Sequence, residues 1–244
     1  NDPIDLNTDL NSFPLNLDKL NPIYDTIKIC KSNLNAKTPL IGFAGAPFTV
    51  ASYMCEGGSS KDLKKTKKLL FSNPRFFHSL LDKITNVTIN YLEQQVIAGV
   101  DALQLFDTWI SHLDWHSCEE FSSKYINKIV LELRNRNVNV PITFFGKHTS
   151  LFFPLYENTG ISVISLDWGA NLSLIDSQLD NSIAIQGNLD PFILYSSKEV
   201  IQKNVKRIRN SVTSDRPFIF NLGHGLMPDI PIDSIHYALD ALRS

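Results

Sequence analysis

"FIFNLGHGLMPD" (residues 218–229) begins as an unbroken apolar run and halts at a histidine set between two glycines. Phe218, Ile219 and Phe220 have the character of a strand buried on both faces, as in a parallel sheet, rather than the alternation of a sheet half open to water. His224 follows within a few residues, so a titratable ring is delivered to the carboxyl end of that strand. Gly223 and Gly225 carry no side chain, which is read as room for a flat ligand to reach the imidazole.

The same grammar recurs upstream. "PLIGFAGAP" (39–47), "ALQLFDTW" (102–109), "PITFFGKH" (141–148), "VISLDWG" (163–169) and "AIQGNLDP" (184–191) are each continuous and apolar, and each runs into polar or turn residues. Helices are expected between them. Ser59 or Ser60 can cap "KDLKKTKKLLF", and Pro74 opens a long segment with an apolar stripe (Phe77, Leu80, Leu81, Ile84, Val87, Tyr91, Val96) that Gly99 can end. Further helices are predicted over 117–136, 150–159, 171–178, 197–211 and 231–242, the last opened by Pro231 and Asp233.

Alternating strand and helix mean a parallel α/β fold. Polar residues gather just past the strand ends: Tyr53, then Asp107 and Thr108, Lys147 and His148, Asp167, Asn188, Asp190 and finally His224. A (β/α)8 TIM barrel spreads functional groups over the ends of many strands, whereas an open doubly wound sheet gathers them at one switch point. No Gly-x-Gly-x-x-Gly or P-loop is present, and "CEGGSS" (55–60) has the wrong spacing for either. The expectation is a single TIM-barrel domain over residues 1–244. A barrel takes eight strands and roughly 250 residues. The first one or two βα units are therefore expected to be missing from a sequence that starts at Asn1.

Composition bounds the partners. With 244 residues, 43% of them hydrophobic, the chain can bury a large core. A net charge of −2 gives no footprint for nucleic acid or a membrane surface. No apolar stretch approaches the roughly 20 residues of a span. The polar start, "NDPIDLNTDLNSFPLNLDKL", lacks the features of a secretory signal. Cys30, Cys55 and Cys118 are odd in number and scattered, as expected of reduced thiols in the cytoplasm.

Three segments together resemble the uroporphyrinogen decarboxylase family: "PLIGFAGAPFTVASYMCEGG" (39–58), "GVDALQLFDTW" (99–109) and "FNLGHGLMPD" (220–229). "VISLDW" (163–168) and "IQGNLDP" (185–191) extend the likeness in the same order. The resemblance implies a (β/α)8 barrel, a homodimer, and a deep cleft at the carboxyl ends of the strands. It implies a carboxy-lyase that needs no cofactor and no metal and removes the four acetate carboxyls of uroporphyrinogen III as CO2. The product would be coproporphyrinogen III, in haem biosynthesis. Matched motif by motif, Tyr53, Thr108 and His224 fall on positions that contact the tetrapyrrole. The family's catalytic aspartate, at the end of the second barrel strand, and its arginine motif after the first have no counterpart here. The catalytic residues are therefore unknown from this sequence, and Asp107, near the cleft by strand order, is not assigned that role.

Each candidate has a plainer reading. A histidine at a strand end is often structural, a tyrosine in an apolar stretch is commonly core, and Thr108 could bond the local backbone. Asp167 and Asp190 are read as caps or loop ties, His112, His116 and His148 as solvated or structural, and "KDLKKTKK" (61–68) as a solvated helix face. Phe43, Phe48, Phe106, Phe144 and Phe145 are read as barrel core or cleft wall.

Two rivals stand beside the decarboxylase. A corrinoid-dependent methyltransferase would share the barrel but activates a thiol on zinc. "GKHTSLF" (146–152) lacks the needed cysteine, and none follows Cys118. A non-catalytic tetrapyrrole-binding protein would suit the missing arginine and aspartate motifs.

Overall fold

The computed structural model describes residues 3–13, 16–213 and 215–243. All six predicted strands form: β1 (Ile41–Gly45), β2 (Ala102–Asp107), β3 (Ile142–Gly146), β4 (Val163–Ser165), β5 (Ala184–Leu189) and β6 (Phe218–Leu222). They pair in parallel and in chain order, β1 to β6, with β1 and β6 at the two edges. Consecutive parallel neighbours separated by helices are the repeating unit of a TIM-barrel-like α/β fold.

Register places one layer of alternate residues across the strands: Phe106 opposite Phe145, Phe145 opposite Ser165, Ser165 opposite Gln186, and Gln186 opposite Ile219. The intervening residues, among them Leu103, Leu105, Phe144, Ile164 and Ile185, are fully buried in the core cluster that the helices complete. Strand parity thus separates two populations, one facing the helices and one facing the interior of the sheet.

The helices are α1 (Asn21–Asn33), α2 (Pro47–Glu56), α3 (Lys64–Ser72), α4 (Pro74–Ala98), α5 (Trp115–Cys118), α6 (Lys124–Asn135), α7 (Leu172–Asp176), α8 (Lys198–Arg209) and α9 (Ile232–Arg243). Pro74 and Gly99 bound α4 as expected. Asn73 caps the Phe76 N–H, and Gly99 adopts φ +115°, a left-handed terminator that a Cβ would disfavour. Gln95, buried on this helix, accepts from the Phe43 N–H (3.0 Å) and donates to the Phe43 carbonyl (2.9 Å). Leu40 O and Ala46 N bond toward β2, so Phe43 turns the other way and Gln95 satisfies the β1 edge there.

Three local expectations are corrected. Residues 149–159 form three short 3-10 turns rather than an α-helix, because Pro154 lacks the N–H an α-helix would use. Helix α3 starts at Lys64, not beside Ser60, which instead accepts from Leu63 N. Its third N–H, on Thr66, is capped by the Glu56 carboxylate at 2.9 Å, a residue of the preceding helix. Of the two readings for Phe43, core is excluded: it is 60% exposed on the edge strand, with its ring against Phe106. Among the described residues no helix is long and apolar enough to cross a membrane.

Candidate active site

Thr108 directly follows β2, and His224 lies two residues past β6. These strands are four sheet positions apart, which in a flat sheet would separate them by roughly 19 Å. Both nevertheless line one cavity of about 320 Å³, with Gln104, Phe106, Phe145, Ser165 and Asn221. The sheet must therefore curl, and the cavity lies on the face opposite the helices.

The lining follows strand parity. Gln104 and Phe106 are alternate residues of β2 and Thr108 follows at the next such position just past its end; all three line the cavity. Phe106 meets Phe145 at 5.9 Å and Phe43 at 5.9 Å between ring centres, giving an apolar wall broad enough for a flat ring system. Polar atoms face it. Ser165, whose hydroxyl accepts from the buried Gln186 at 3.0 Å, lines it with Asn221 and the exposed His224.

Tyr53 does not line this cavity. It sits near the carboxyl end of α2, 44% exposed, with its ring edge-on to Trp109 at 5.7 Å. Trp109 follows Thr108 directly, so the tyrosine stands at the rim on the β2 side. Trp109 also contacts His112 at 5.4 Å. The pKa of that histidine is lowered, by burial first and then by the nearby charges of Lys67, Lys147 and His148, with Asp62 opposing. Lys67 and Lys147 thus stand near this edge of the rim, with Asp62 among them.

The glycines around His224 do different work from that expected. A Cβ on Gly223 would lie 2.2 Å from the Trp168 backbone nitrogen, so the space is filled by the chain after β4 and not left for a ligand. Of the two, Gly225 faces open space, where a Cβ would meet nothing within 4 Å. Gly223 N–H extends the β5–β6 pairing by donating to Leu189 O at 2.7 Å. The Trp168 ring then meets His224 edge-on at 5.8 Å. Downstream, Tyr195 donates to Asp229 at 2.5 Å and ties the rest of the loop.

Asp107 is not in the cleft. Parity turns it outward, fully buried beneath α2 and the α5–α6 connection, where it accepts from Thr49 N (3.1 Å), Thr49 Oγ1 (2.6 Å) and Ser122 Oγ (2.5 Å). Ser122 spends its proton on Asp107, so Tyr156 donates to Ser122 (2.9 Å) and Cys118 to Tyr156 (3.3 Å), one aligned chain of donors ending on the carboxylate. Burial pushes the Asp107 carboxyl up to about 6, against the lowering effect of Ser122 and Thr49. A folded pKa above the unfolded value means the native state holds the extra proton, so this group adds stability as pH falls from about 7 toward 4. Replacing Asp107 by Asn should remove about 2–3 kcal/mol of that pH dependence, measured by denaturant unfolding across the range.

Asp167 and Asp190 are loop ties. Asp167 accepts from His148 N (2.6 Å) and Gly169 N (3.2 Å), and Asp190 from Phe192 N (3.0 Å). Cys55 and Cys118 are buried among the helices, with burial raising each thiol to about 12.

The uroporphyrinogen decarboxylase (URO-D) family model matches residues 3–244. The chain is 38% identical over 239 residues to the uroporphyrinogen decarboxylase of Vesicomyosocius okutanii subsp. Calyptogena okutanii, covering 98% of this chain and 67% of that protein. It is 37% identical to the enzyme of the same name from Mannheimia succiniciproducens, covering 92% and 64%. The chain thus spans about two thirds of the length of the curated relatives it matches. Among solved structures, a methyltransferase from Methanosarcina mazei superimposes with a TM-score of 0.81 at 18% identity, covering 96% of this chain and 68% of that one. That likeness is one of fold.

Proposed function

The chain belongs to the uroporphyrinogen decarboxylase family, and on that premise we propose that it forms the larger part of a cofactor-independent carboxy-lyase acting on uroporphyrinogen III. The observation that carries this reading is the shared cavity of Thr108 and His224, with an aromatic wall on one side and neutral hydrogen-bonding groups on the other. A flat macrocycle with acidic arms needs both: aromatic area for its pyrrole faces and directed donors for its carboxylates.

In the reaction each acetate arm loses CO2 and gains a proton, leaving a methyl. The electron pair released needs a sink, which protonation of a pyrrole carbon supplies. Residues of this chain act as holders. Thr108 offers a hydroxyl from the end of β2, His224 a ring N–H from beyond β6, and Tyr53 a phenol from the outer edge. The ammonium groups of Lys67 and Lys147, near His112 at this edge, draw a polyacid toward the opening. The reading carries with it one barrel domain, a homodimer in the cytoplasm, and no nucleic-acid or membrane partner. A sedimentation mass of twice the protomer checks the dimer.

The test is turnover of uroporphyrinogen by the full-length protein, followed as CO2 release and as the less carboxylated products. His224→Ala should lower kcat/KM by about tenfold to a hundredfold, the worth of one hydrogen bond to a charged group. Its melting temperature should barely move, because the ring is exposed. Tyr53→Phe should cost about threefold to tenfold. Wild-type rates in both variants would remove this cleft from the reaction.

A further inference from the structure

We propose that Asp107 is a positioning residue for the cleft: through Thr49 it holds the helix carrying Tyr53 in fixed relation to the turn carrying Thr108 and Trp109. The proposal rests on the cleft assignment above and adds a residue that never touches the substrate.

Helix α2 opens with Pro47 and has no side-chain cap of its own, which leaves its first N–H groups in need of acceptors. Asp107 supplies one from another element. Its Oδ1 takes both the backbone N–H and the hydroxyl of Thr49, the third residue of the helix, where a negative charge also suits the helix dipole. The Thr49 hydroxyl oxygen in turn accepts from Trp109 N at 3.2 Å. One threonine therefore joins the last residue of β2, the first turn of α2 and the turn beyond Thr108. Tyr53 lies four residues after Thr49, on the same side of the helix, with its ring against Trp109.

The second carboxylate oxygen is held by Ser122, so the clamp is fastened to the α5–α6 connection as well. All of these partners are neutral. A buried carboxylate without a cation is a costly way to fill space, and an apolar side chain would pack there more cheaply. What the carboxylate adds is direction: its lone pairs set the angle and depth of Thr49, and Thr49 sets both walls of the rim.

Thr49→Val keeps the β-branched shape and deletes the hydroxyl, while Thr49→Ser restores it. Both are to be made in the full-length protein, in the native background and in a Tyr53→Phe, Thr108→Val background. Amide exchange at Trp109 and kcat/KM for uroporphyrinogen are the readouts. Thr49→Val should speed exchange at Trp109 by about tenfold and lower kcat/KM by about fivefold to tenfold. Thr49→Ser should return both toward wild type. In the doubly substituted background the same Thr49→Val change should cost roughly twofold or less, because the groups it positions are gone. An equal loss in both backgrounds, or faster exchange with unchanged kinetics, would reduce Asp107 and Thr49 to a structural tie and overturn the proposal. If the Tyr53→Phe, Thr108→Val protein itself turns over at the native rate, the cleft assignment has failed and the positioning role falls with it. Exchange at Trp109 would still report whether the clamp exists.

Discussion

Alanine at Gly223 is expected to destabilise the protein by about 3 kcal/mol or more, at or above the top of the usual range for overpacking. The added Cβ would meet Trp168 N at 2.2 Å and Trp168 Cα at 2.8 Å. These are backbone atoms, so no rotamer change relieves the contact. Either the β6 end or the chain after β4 must move. The first shift strains the Gly223 bond to Leu189 O, and the second disturbs Asp167, which holds His148 and Gly169. Activity should fall with stability, because the displaced segment carries His224. Gly225→Ala is the control: with open space around it, it should stay within about 0.5 kcal/mol of wild type. Denaturant unfolding of the pair checks the contrast, and equal stabilities would show that the close approach at Gly223 does not exist.

The second large effect lies at the opposite end of the strands. Arg216, with a side chain 1% exposed, precedes β6 and pairs with Asp176. Its guanidinium also donates to the carbonyls of Asp176 (2.9 Å), Leu179 (2.8 Å), Asp180 (2.7 Å) and Ile183 (2.8 Å), and to the Asn181 side chain at 3.0 Å. One side chain thus satisfies the end of α7 and the loop leading into β5. Arg216→Ala leaves a buried carboxylate unpaired and these carbonyls without donors, and should cost about 3–5 kcal/mol. Lysine should rescue little, since an ammonium has three donors and no planar fork. At a temperature where the variant stays folded, kcat should be near wild type, because the amino ends of barrel strands serve stability and the chemistry sits at their carboxyl ends. A matched loss of kcat in the folded variant would contradict that division.

The two sites also show what could be read from the chain alone. Strands were legible because burial on both faces leaves an unbroken apolar run, and α4 because Pro74 and Gly99 act locally. Thr108 and His224 were legible as strand-end residues, and their common cavity is in keeping with the expected TIM-barrel fold. Interactions between distant segments were not. Nothing near Gly223 announces the Trp168 backbone, and nothing near Arg216 announces acceptors some forty residues earlier. Tyr53, expected beside the substrate, is not among the residues lining the cavity and packs edge-on against Trp109, because a helix sets its direction and not a strand. Asp107 and the cavity residues Gln104, Phe106 and Ser165 carried an unused signal. Counting by twos from Thr108 and across the sheet would have sent Asp107 outward and the others inward.

That alternation gives the fold a form of evolvability. Residues whose side chains meet a ligand and residues whose side chains meet the helices occupy successive positions of the same strands, so selection can act on one set while sparing its neighbours. A combinatorial library at Gln104, Phe106, Ser165 and Asn221 would explore new chemistry on an intact chassis, whereas the same diversity at Leu103, Leu105 and Phe144 would be consumed by unfolding.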